Sequence, residues 1–260
     1  MYTKSDLTNL TDVFWQNSDF FLEQATRKRK YSLKKILKAI IYITKSGCQW
    51  RMLPAEFPKW QLVYYYFQKW MREAVFEEIL ANIRKAIRKS LKKHPSPSVG
   101  IIDSQSVKSG SYGGESRGFD GNKKINGRKR HIITDTNGLL LSVVVHAANE
   151  YDGKKAFDVI KTLKHRFERM TKIFADGGYR GEELAEQLKK ELFYDVEITL
   201  RSDKETEFKP LPKRWVVERS LAWLNGFRRL SKDYEKLTET SEAIIMIVFI
   251  CLMLNNKIFK

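Results

Sequence analysis

The stretch Val99-Gly-Ile-Ile-Asp-Ser104 begins the part of the chain in which apolar residues form short strand-like runs instead of recurring at helical spacing. Just before it, His94-Pro-Ser-Pro-Ser98 places two prolines and two serines after a helical pattern, which marks a boundary. Runs rich in Ile and Val predict five strands, at residues 99–102, 131–134, 139–147, 172–175 and 195–200. Helical patterns at 154–167 and 182–193 lie between the last three. We therefore predict an α/β fold for residues 98–260, with a mixed sheet flanked by helices.

Residues 1–97 have helical spacing instead. Ser32 is placed to cap a helix that ends at Gly47, and a turn and a second helix from about Trp60 follow. A third helix is predicted near residues 76–93, with an exposed basic surface that either holds phosphates or only solubilises the helix: Arg84, Lys85, Arg88, Lys89, Lys92 and Lys93. In the second helix we expect one face to be buried and the other exposed, with Trp60, Val63, Tyr64, Phe67 and Met71 inside and Gln61, Tyr65, Gln68, Lys69 and Arg72 outside. Two interpretations stay open for this region: a DNA-binding helix-turn-helix, or an all-α bundle with an ordinary solvated basic face.

The charge of the chain favours a polyanionic partner. Its 260 residues carry 48 Lys and Arg against 31 Asp and Glu, a net charge of +17. Basic side chains gain affinity for nucleic acid by displacing counterions from phosphates. An anionic membrane surface is the competing partner. The longest apolar run, residues 244–254, is shorter than the roughly 20 residues that span a bilayer, so we predict a buried closing helix and no membrane segment.

Cysteine usage argues against a disulfide framework and against a zinc site. Only Cys48 and Cys251 are present, and neither has a Cys or His companion at metal-ligand spacing. We expect a cytoplasmic protein associated with the nucleoid.

Three acidic residues stand where a metal-dependent nuclease needs them. Asp103 and Asp176 each follow a predicted strand, and Glu218 lies early in a predicted helix. Adjacent parallel strands would bring the two Asp carboxylates to one edge of the sheet. Carboxylate oxygens are the ligands that Mg²⁺ prefers, and two divalent ions promote in-line phosphoryl displacement. Each acid alone also has an ordinary explanation as a turn, cap or surface residue.

Four motifs together resemble the bacterial DDE insertion-sequence transposases, and most closely their insertion-sequence-five group. The motifs are Ile101-Ile-Asp-Ser104, Lys124-Ile-Asn-Gly-Arg-Lys-Arg-His-Ile-Ile-Thr-Asp135, Ala175-Asp-Gly-Gly-Tyr-Arg-Gly181 and Arg214-Trp-Val-Val-Glu-Arg-Ser-Leu-Ala-Trp223. Ser46-Gly-Cys-Gln-Trp-Arg-Met-Leu-Pro54 resembles the helical domain that precedes the catalytic part in that group. The likeness covers nearly the whole chain.

The resemblance implies an RNase H-like catalytic domain, residues 98–260, with Asp103, Asp176 and Glu218 as its acidic triad. It implies a transposase that cleaves insertion-sequence ends with Mg²⁺ or Mn²⁺, held as two ions, and transfers the freed strand into target DNA. The implied partners are double-stranded DNA, as terminal inverted repeats and as target, and further copies of the chain in a homodimer or higher oligomer. Residues 1–97 would form the helix-turn-helix-like DNA-binding domain.

The sequence departs from the wider family pattern at two positions. Leu211 and Asn225 stand where that pattern has Tyr and Lys, whereas Arg214 and Glu218 match it. Helical spacing from Glu218 offers Arg229, or its neighbour Arg228, as the missing positive charge. We interpret residues 117–130 as a flexible basic loop and His131 and His146 as structural. The predicted DNA contacts are Arg214, Arg228, Arg229, Lys123, Lys124, Arg128, Lys129, Arg130, Lys69 and Arg72.

Two other functions remain open. The same acids would serve an RNase H-like nuclease or resolvase that cuts DNA without joining it. A catalytically silent DNA-binding protein descended from a transposase is the other alternative.

Overall fold

A computed structural model describes residues 29–110, 114, 116–198 and 214–254. Within these residues seven α-helices and six strands follow one another along the chain. The helices are α1 (Leu33–Ser46), α2 (Trp60–Arg72), α3 (Val75–Ser90), α4 (Asp152–Lys161), α5 (Glu182–Leu192), α6 (Arg214–Leu224) and α7 (Thr238–Leu254). The strands are β1 (Val99–Lys108), β2 (Gly118–Asp120), β3 (Ile125–Thr134), β4 (Leu140–Ala147), β5 (Lys172–Ala175) and β6 (Asp195–Ile198). Short 3₁₀ turns occupy Trp50–Met52, Gly177–Tyr179 and Arg228–Leu230.

The strands form one mixed sheet, as predicted. β3 pairs antiparallel with β1 and, on its other side, with β2 and β4. β5 runs parallel to β1, and β6 runs parallel to β5. β3 and β4 are joined by the Asn137-Gly138 hairpin, in which Gly138 has φ +88° and a Cβ would lie 2.9 Å from Ser220 Oγ. Only glycine fits this turn against α6 without strain.

Two hydrophobic clusters cover the two faces of the sheet. Ile101 belongs to one cluster and Ile102 to the other, as the alternation of side chains along a strand requires. The face of Ile101 is covered by α6 and α7, and the face of Ile102 by α4 and α5. The predicted closing helix is confirmed as α7, which is buried on nearly all sides. No helix among the described residues is long and apolar enough to cross a membrane.

The N-terminal helices begin and end where their caps predict. Ser32 Oγ accepts a hydrogen bond from Lys35 N, and Gly47 ends α1 in the left-handed conformation with φ +72°. Helices α1, α2 and α3 share the hydrophobic cluster of α6 and α7. The division of the chain at residue 97 stays a prediction, because a common core joins the two parts.

Two features of the helical region correct the sequence-based expectation. In α2 the buried stripe is Val63, Phe67 and Trp70, and Tyr64 is 38% exposed because it lies on the neighbouring face. In α3, Arg84 and Arg88 are buried rather than solvated. Arg84 donates to Leu140 O, and Arg88 forms an ion pair with Asp135 in the β3–β4 hairpin. These two guanidinium groups connect α3 to the sheet.

Candidate active site

Asp103 lies in the middle of β1 and not at its end, since the strand continues to Lys108. Its antiparallel partner on β3 is Ile132, and both belong to the sheet face covered by α6. The parallel pairing of β1 with β5 matches Val99 to Lys172 and Ile101 to Phe174, an offset of 73 residues (172 − 99). The same offset separates Asp103 from Asp176 (176 − 103 = 73). The register of the sheet therefore places these two acids side by side.

Asp176 follows the last residue of β5 and begins a 3₁₀ turn over Gly177–Tyr179. One carboxylate oxygen, Oδ1, accepts a hydrogen bond of 2.9 Å from Gly178 N. The other oxygen, Oδ2, lies 3.6 Å from Arg214 Nη2. Asp176 can therefore be a turn residue and a site residue at once. The turn uses Oδ1, and Oδ2 lies toward Arg214.

Helix α6 carries Glu218 over the sheet. Its apolar side, which includes Val217 and Leu221, is buried, while the Glu218 side chain is 48% exposed. Arg214 lies one turn earlier, and its Nη2 is 3.0 Å from Glu218 Oε1. The Arg214 side chain is only 14% exposed and contacts both Asp176 and Glu218. It therefore connects the turn after β5 to the helix.

The electrostatics of Asp103 show that the acids influence one another. Burial raises the pKa of its carboxyl to about 7, and the nearby charges of Asp176 and Glu218 act in the same direction. A hydrogen bond from Ser104 N and the charge of Arg214 oppose that rise. A carboxyl that is buried among like charges lowers the stability of the folded protein. Such carboxyls are frequent at functional sites.

The chemistry of these side chains suits a hard divalent cation, since every donor is a carboxylate oxygen. Among the described residues, no three His, Cys, Asp or Glu side chains are grouped closely enough to hold a metal as they stand. The cation between Asp176 and Glu218 is the guanidinium of Arg214.

Two family models match this sequence. The model described as "Transposase DDE domain" matches residues 94–254, more than half of the chain and a range that contains all three acids. The chain belongs to the DDE transposase family. A model described as "Putative transposase of IS4/5 family" matches residues 10–80, which contain α1 and α2. The RNase H-like fold class predicted for the C-terminal part is confirmed.

One similar protein is the putative transposase for insertion sequence element IS402 of Burkholderia cepacia. It is 31% identical over 127 residues, which are 46% of this chain and 59% of that protein. The chain thus spans less than two thirds of that relative.

Five of the residues predicted to contact DNA lie on the surface of this protein. Lys123 and Lys124 are exposed in the turn between β2 and β3, and Arg228 is exposed after α6. On α2, Arg72 is exposed, and the Lys69 side chain is 41% exposed beside Glu73. Contact of these five residues with DNA stays a prediction.

The expected flexible basic loop at residues 117–130 is wrong. Residues 118–120 form β2 and residues 125–130 begin β3. Arg128 and Arg130 are 1% and 0% exposed, and Lys129 is 6% exposed. Side chains buried to this degree cannot reach a phosphate backbone. We therefore withdraw Arg128, Lys129 and Arg130 as DNA contacts.

Arg128 and Arg130 have a structural role on the α7 face of β3. Arg128 Nη1 lies 3.1 Å from Asp233 Oδ1, and the same side chain donates to the carbonyls of Glu235 and Lys236. Arg130 Nη1 donates to Leu230 O at 2.9 Å. Both arginines thus attach the segment between α6 and α7 to the centre of the sheet.

Arg229 does not share a helical face with Glu218, because α6 ends at Leu224. Its guanidinium is buried, with Nε 2.7 Å from Glu235 Oε1 and Nη1 3.1 Å from Cys48 O. It is therefore not available as the missing charge toward DNA. Leu211 lies outside the described residues, and Asn225 is exposed just after α6.

A buried polar network on the opposite face of the sheet was not identified from the sequence. Tyr179 Oη lies 3.2 Å from His131 Nδ1, and His131 Nε2 lies 3.3 Å from Asp152 Oδ1. Lys129 Nζ lies 2.8 Å from the same Asp152 oxygen. Burial acts to raise the pKa of Asp152, but hydrogen bonds from His131 and Lys129 outweigh it and lower the pKa to about 2.

This network supports the structural interpretation of His131 and links the turn of Asp176 to β3 and α4. Burial, together with the charges of Asp152, Asp103 and Asp176, holds the pKa of Tyr179 well above its ordinary value. The sequence did contain a signal for this network. Alternate residues of a strand face opposite sides of the sheet, so Lys129 and His131 share one face while Arg128 and Arg130 share the other.

Proposed function

We propose that this protein is a DNA transposase, which cleaves insertion-sequence ends in a metal-dependent reaction and joins the freed 3′-hydroxyl to target DNA. The observation that carries the proposal is that Arg214 contacts both Asp176 and Glu218, while the charges of these two acids act on the buried Asp103. Membership of the DDE transposase family supports it.

Metal dependence is general among DDE domains, and the three carboxylates supply the oxygen donors that Mg²⁺ or Mn²⁺ requires. When bound, two such ions would activate the attacking oxygen and stabilise the leaving oxygen of the phosphodiester. Asp103, Asp176 and Glu218 would hold them. The raised pKa of Asp103 supports this assignment, because a bound divalent cation would favour the ionised form that burial, together with the charges of Asp176 and Glu218, disfavours.

The groups around the three acids would mainly hold them in position. Asp103 is held in a strand paired on both sides, which gives its carboxylate a rigid base. Asp176 is oriented by its bond from Gly178 N, and Glu218 by the apolar side of α6. Arg214 would keep Asp176 and Glu218 from repelling each other until DNA and metal arrive.

Double-stranded DNA, as terminal repeats and as target, is the proposed partner. Residues 1–98 hold 19 Lys and Arg against 8 Asp and Glu, and the basic residues of α2 and of the β2–β3 turn are exposed. Neutralising several phosphates would make DNA affinity fall steeply with salt. Pairing two element ends would need a homodimer or larger assembly, which stays a prediction.

The test uses the substitutions Asp103→Asn, Asp176→Asn and Glu218→Gln, which keep side-chain size while removing the charge. Each is expected to abolish Mg²⁺-dependent cleavage of a duplex carrying the element end, with DNA affinity nearly unchanged. Glu186→Gln, which removes an exposed acid from α5, is the matched control and should cleave normally. A wild-type cleavage rate in any of the three variants would remove that residue from the site.

Two further assays separate the alternatives. A DNA end that is already cut and carries a 3′-hydroxyl should be joined to target by a transposase, whereas a nuclease or resolvase of the same fold would leave it unjoined. A silent DNA-binding descendant would bind the same duplex but show no metal-dependent cleavage.

A further inference from the structure

A cavity lies between α2 and the segment that joins α6 to α7. Its volume is about 490 Å³. Pockets of roughly 300–1,000 Å³ accept drug-sized ligands, so this one has room for a single nucleotide. The three acids do not line it, and it is therefore distinct from the candidate active site.

Four aromatic side chains line this cavity: Trp50, Trp60, Tyr64 and Tyr234. Tyr64 is 38% exposed and Tyr234 is 47% exposed, so both rings are available to a ligand. The Trp50 ring lies 5.0 Å from the Tyr64 ring and 5.1 Å from the buried Phe67, which anchors it to the core. Aromatic rings held in this way form a stacking platform that loses little entropy on binding.

The polar part of the lining suits a planar, polar ring attached to an anionic backbone. Gln49 and Gln68 contribute amides, each with donors and an acceptor, and Gln68 Nε2 donates to Tyr64 Oη at 3.2 Å. Two basic residues that line the cavity, Arg51 and Lys236, remain for a ligand, because Arg229 is paired there with Glu235. A nucleobase has a flat face for stacking and hydrogen-bond donors and acceptors along its edge. The DNA strand that carries the base also brings phosphate groups.

The cavity borders the exposed face of α2, since Tyr64 and Gln68 line it. On a helix, residues three or four positions apart are neighbours, so Gln61 adjoins Tyr64 and Arg72 adjoins Gln68. Gln61 and Arg72 are both exposed. A DNA strand following this face would pass the mouth of the cavity.

We propose that this cavity binds one unpaired nucleobase of the DNA substrate, stacked on Tyr64. The proposal rests on the proposed function, because it supposes that DNA is the substrate. A base within a duplex has both faces stacked and its pairing edge occupied, so only a base outside the helix can enter an aromatic pocket. A peptide of this protein or of a second copy fits less well, since it would bring no phosphate to Arg51 and Lys236.

The test compares two DNA duplexes of the same sequence at one salt concentration and without Mg²⁺. One duplex is fully paired, and the other carries a single unpaired adenine. Fluorescence anisotropy should show that the wild-type chain binds the second duplex more tightly. Loss of one stacking ring usually weakens binding by about 5- to 150-fold. Tyr64→Ala should therefore lose the preference, and Tyr64→Phe should retain it because the ring remains.

Tyr65→Ala is the matched control, since Tyr65 is the next residue on α2 and is 54% exposed but does not line the cavity. It should keep the preference. Tyr234→Ala removes a ring from the opposite wall and should reduce the preference independently of any change in α2. In the wild type, 2-aminopurine at the unpaired position should lose fluorescence on binding, as a stacked base does.

The proposal is overturned if the wild type shows no preference, or if folded Tyr64→Ala and Tyr234→Ala proteins keep it. It is also overturned if Tyr64→Ala changes only the oligomeric state, which would identify a protein occupant. Cleavage of the paired duplex by wild type, measured separately with Mg²⁺, distinguishes failure of this pocket from failure of the proposed function.

Discussion

The guanidinium of Arg214 lies 3.0 Å from the carboxylate of Glu218, one turn further along the same helix. The same guanidinium nitrogen is 3.6 Å from Asp176 at the end of β5. One cation therefore joins two acids that are 42 residues apart in the sequence (218 − 176). Arg214 was predicted as a DNA contact, whereas its low exposure and its two ion pairs indicate a role in arranging the acids.

Replacing Arg214 with Gln should leave Asp176 and Glu218 to repel each other. A displacement of about 1 Å at a catalytic group can slow a reaction by about 10²-fold, and we expect a loss of that order in single-turnover cleavage at saturating Mg²⁺. Arg214→Lys keeps the charge but not the forked geometry, so its loss should be smaller. An Arg214→Gln protein that cleaves at the wild-type rate would contradict this positioning role.

Tyr179→Phe removes the hydroxyl that links the Asp176 turn to His131. We expect about 1 kcal/mol of lost stability from the missing hydrogen bond and a higher Mg²⁺ concentration for half-maximal cleavage. Mn²⁺ binding, measured directly by electron paramagnetic resonance, should weaken in parallel. Tyr194→Phe is the control, because Tyr194 is a buried tyrosine on the same sheet face. Equal metal affinity in wild type and Tyr179→Phe would show that the network only stabilises the fold.

Arg128→Met should unfold at much lower urea concentration than wild type. It leaves Asp233 buried without its cation, and breaking a buried pair from one side costs about 3–5 kcal/mol. Below its unfolding temperature, the variant should bind DNA as wild type does, since Arg128 is 1% exposed.

Lys123→Met should show the opposite behaviour. Lys123 is exposed, so its replacement should change stability by no more than about 0.5 kcal/mol. If Lys123 contacts a phosphate, the slope of log affinity against log salt should fall by about 1. A stable Arg128→Met protein with weakened DNA binding would restore Arg128 as a DNA contact.

Glu242 should make stability depend on pH. Its carboxylate on α7 accepts a hydrogen bond of 2.8 Å from Val145 N, and burial raises its pKa from 4.5 to about 7. Between these values the folded protein keeps a proton that the unfolded chain has released. Stability should therefore fall as pH rises from about 4.5 to about 7, by up to about 3 kcal/mol. Glu242→Gln should remove this slope in urea titrations, and Glu186→Gln should preserve it.

Much of the fold followed from local sequence signals. β5 was predicted with its observed bounds, and the caps at Ser32 and Gly47 define α1 as expected. The Asn137-Gly138 turn predicted the β3–β4 hairpin. These features depend on turn chemistry and on short-range periodicity, which neighbouring residues determine. The proximity of Asp103 to Asp176 also followed, because adjacent parallel strands bring the ends of their apolar runs together.

The positions of the basic residues did not follow from such signals. We predicted a solvated loop for Arg128, Lys129 and Arg130, because lysine and arginine are rarely buried. Their burial depends on Asp233, the carbonyls before α7, and Asp152, all distant in sequence. Arg229 was likewise placed on an extended α6 that in fact ends at Leu224.

The amino-acid sequence by itself determined the types of the main helices and strands, the acids that follow two of the apolar runs, and the family to which the chain belongs. Tertiary structure alone decided that Arg214 stands between Asp176 and Glu218, that the arginines of β3 are internal, and that Tyr64 opens onto a cavity. The physical reason is that periodicity reports which side of an element is apolar, whereas burial of a charge depends on which distant groups pack against it.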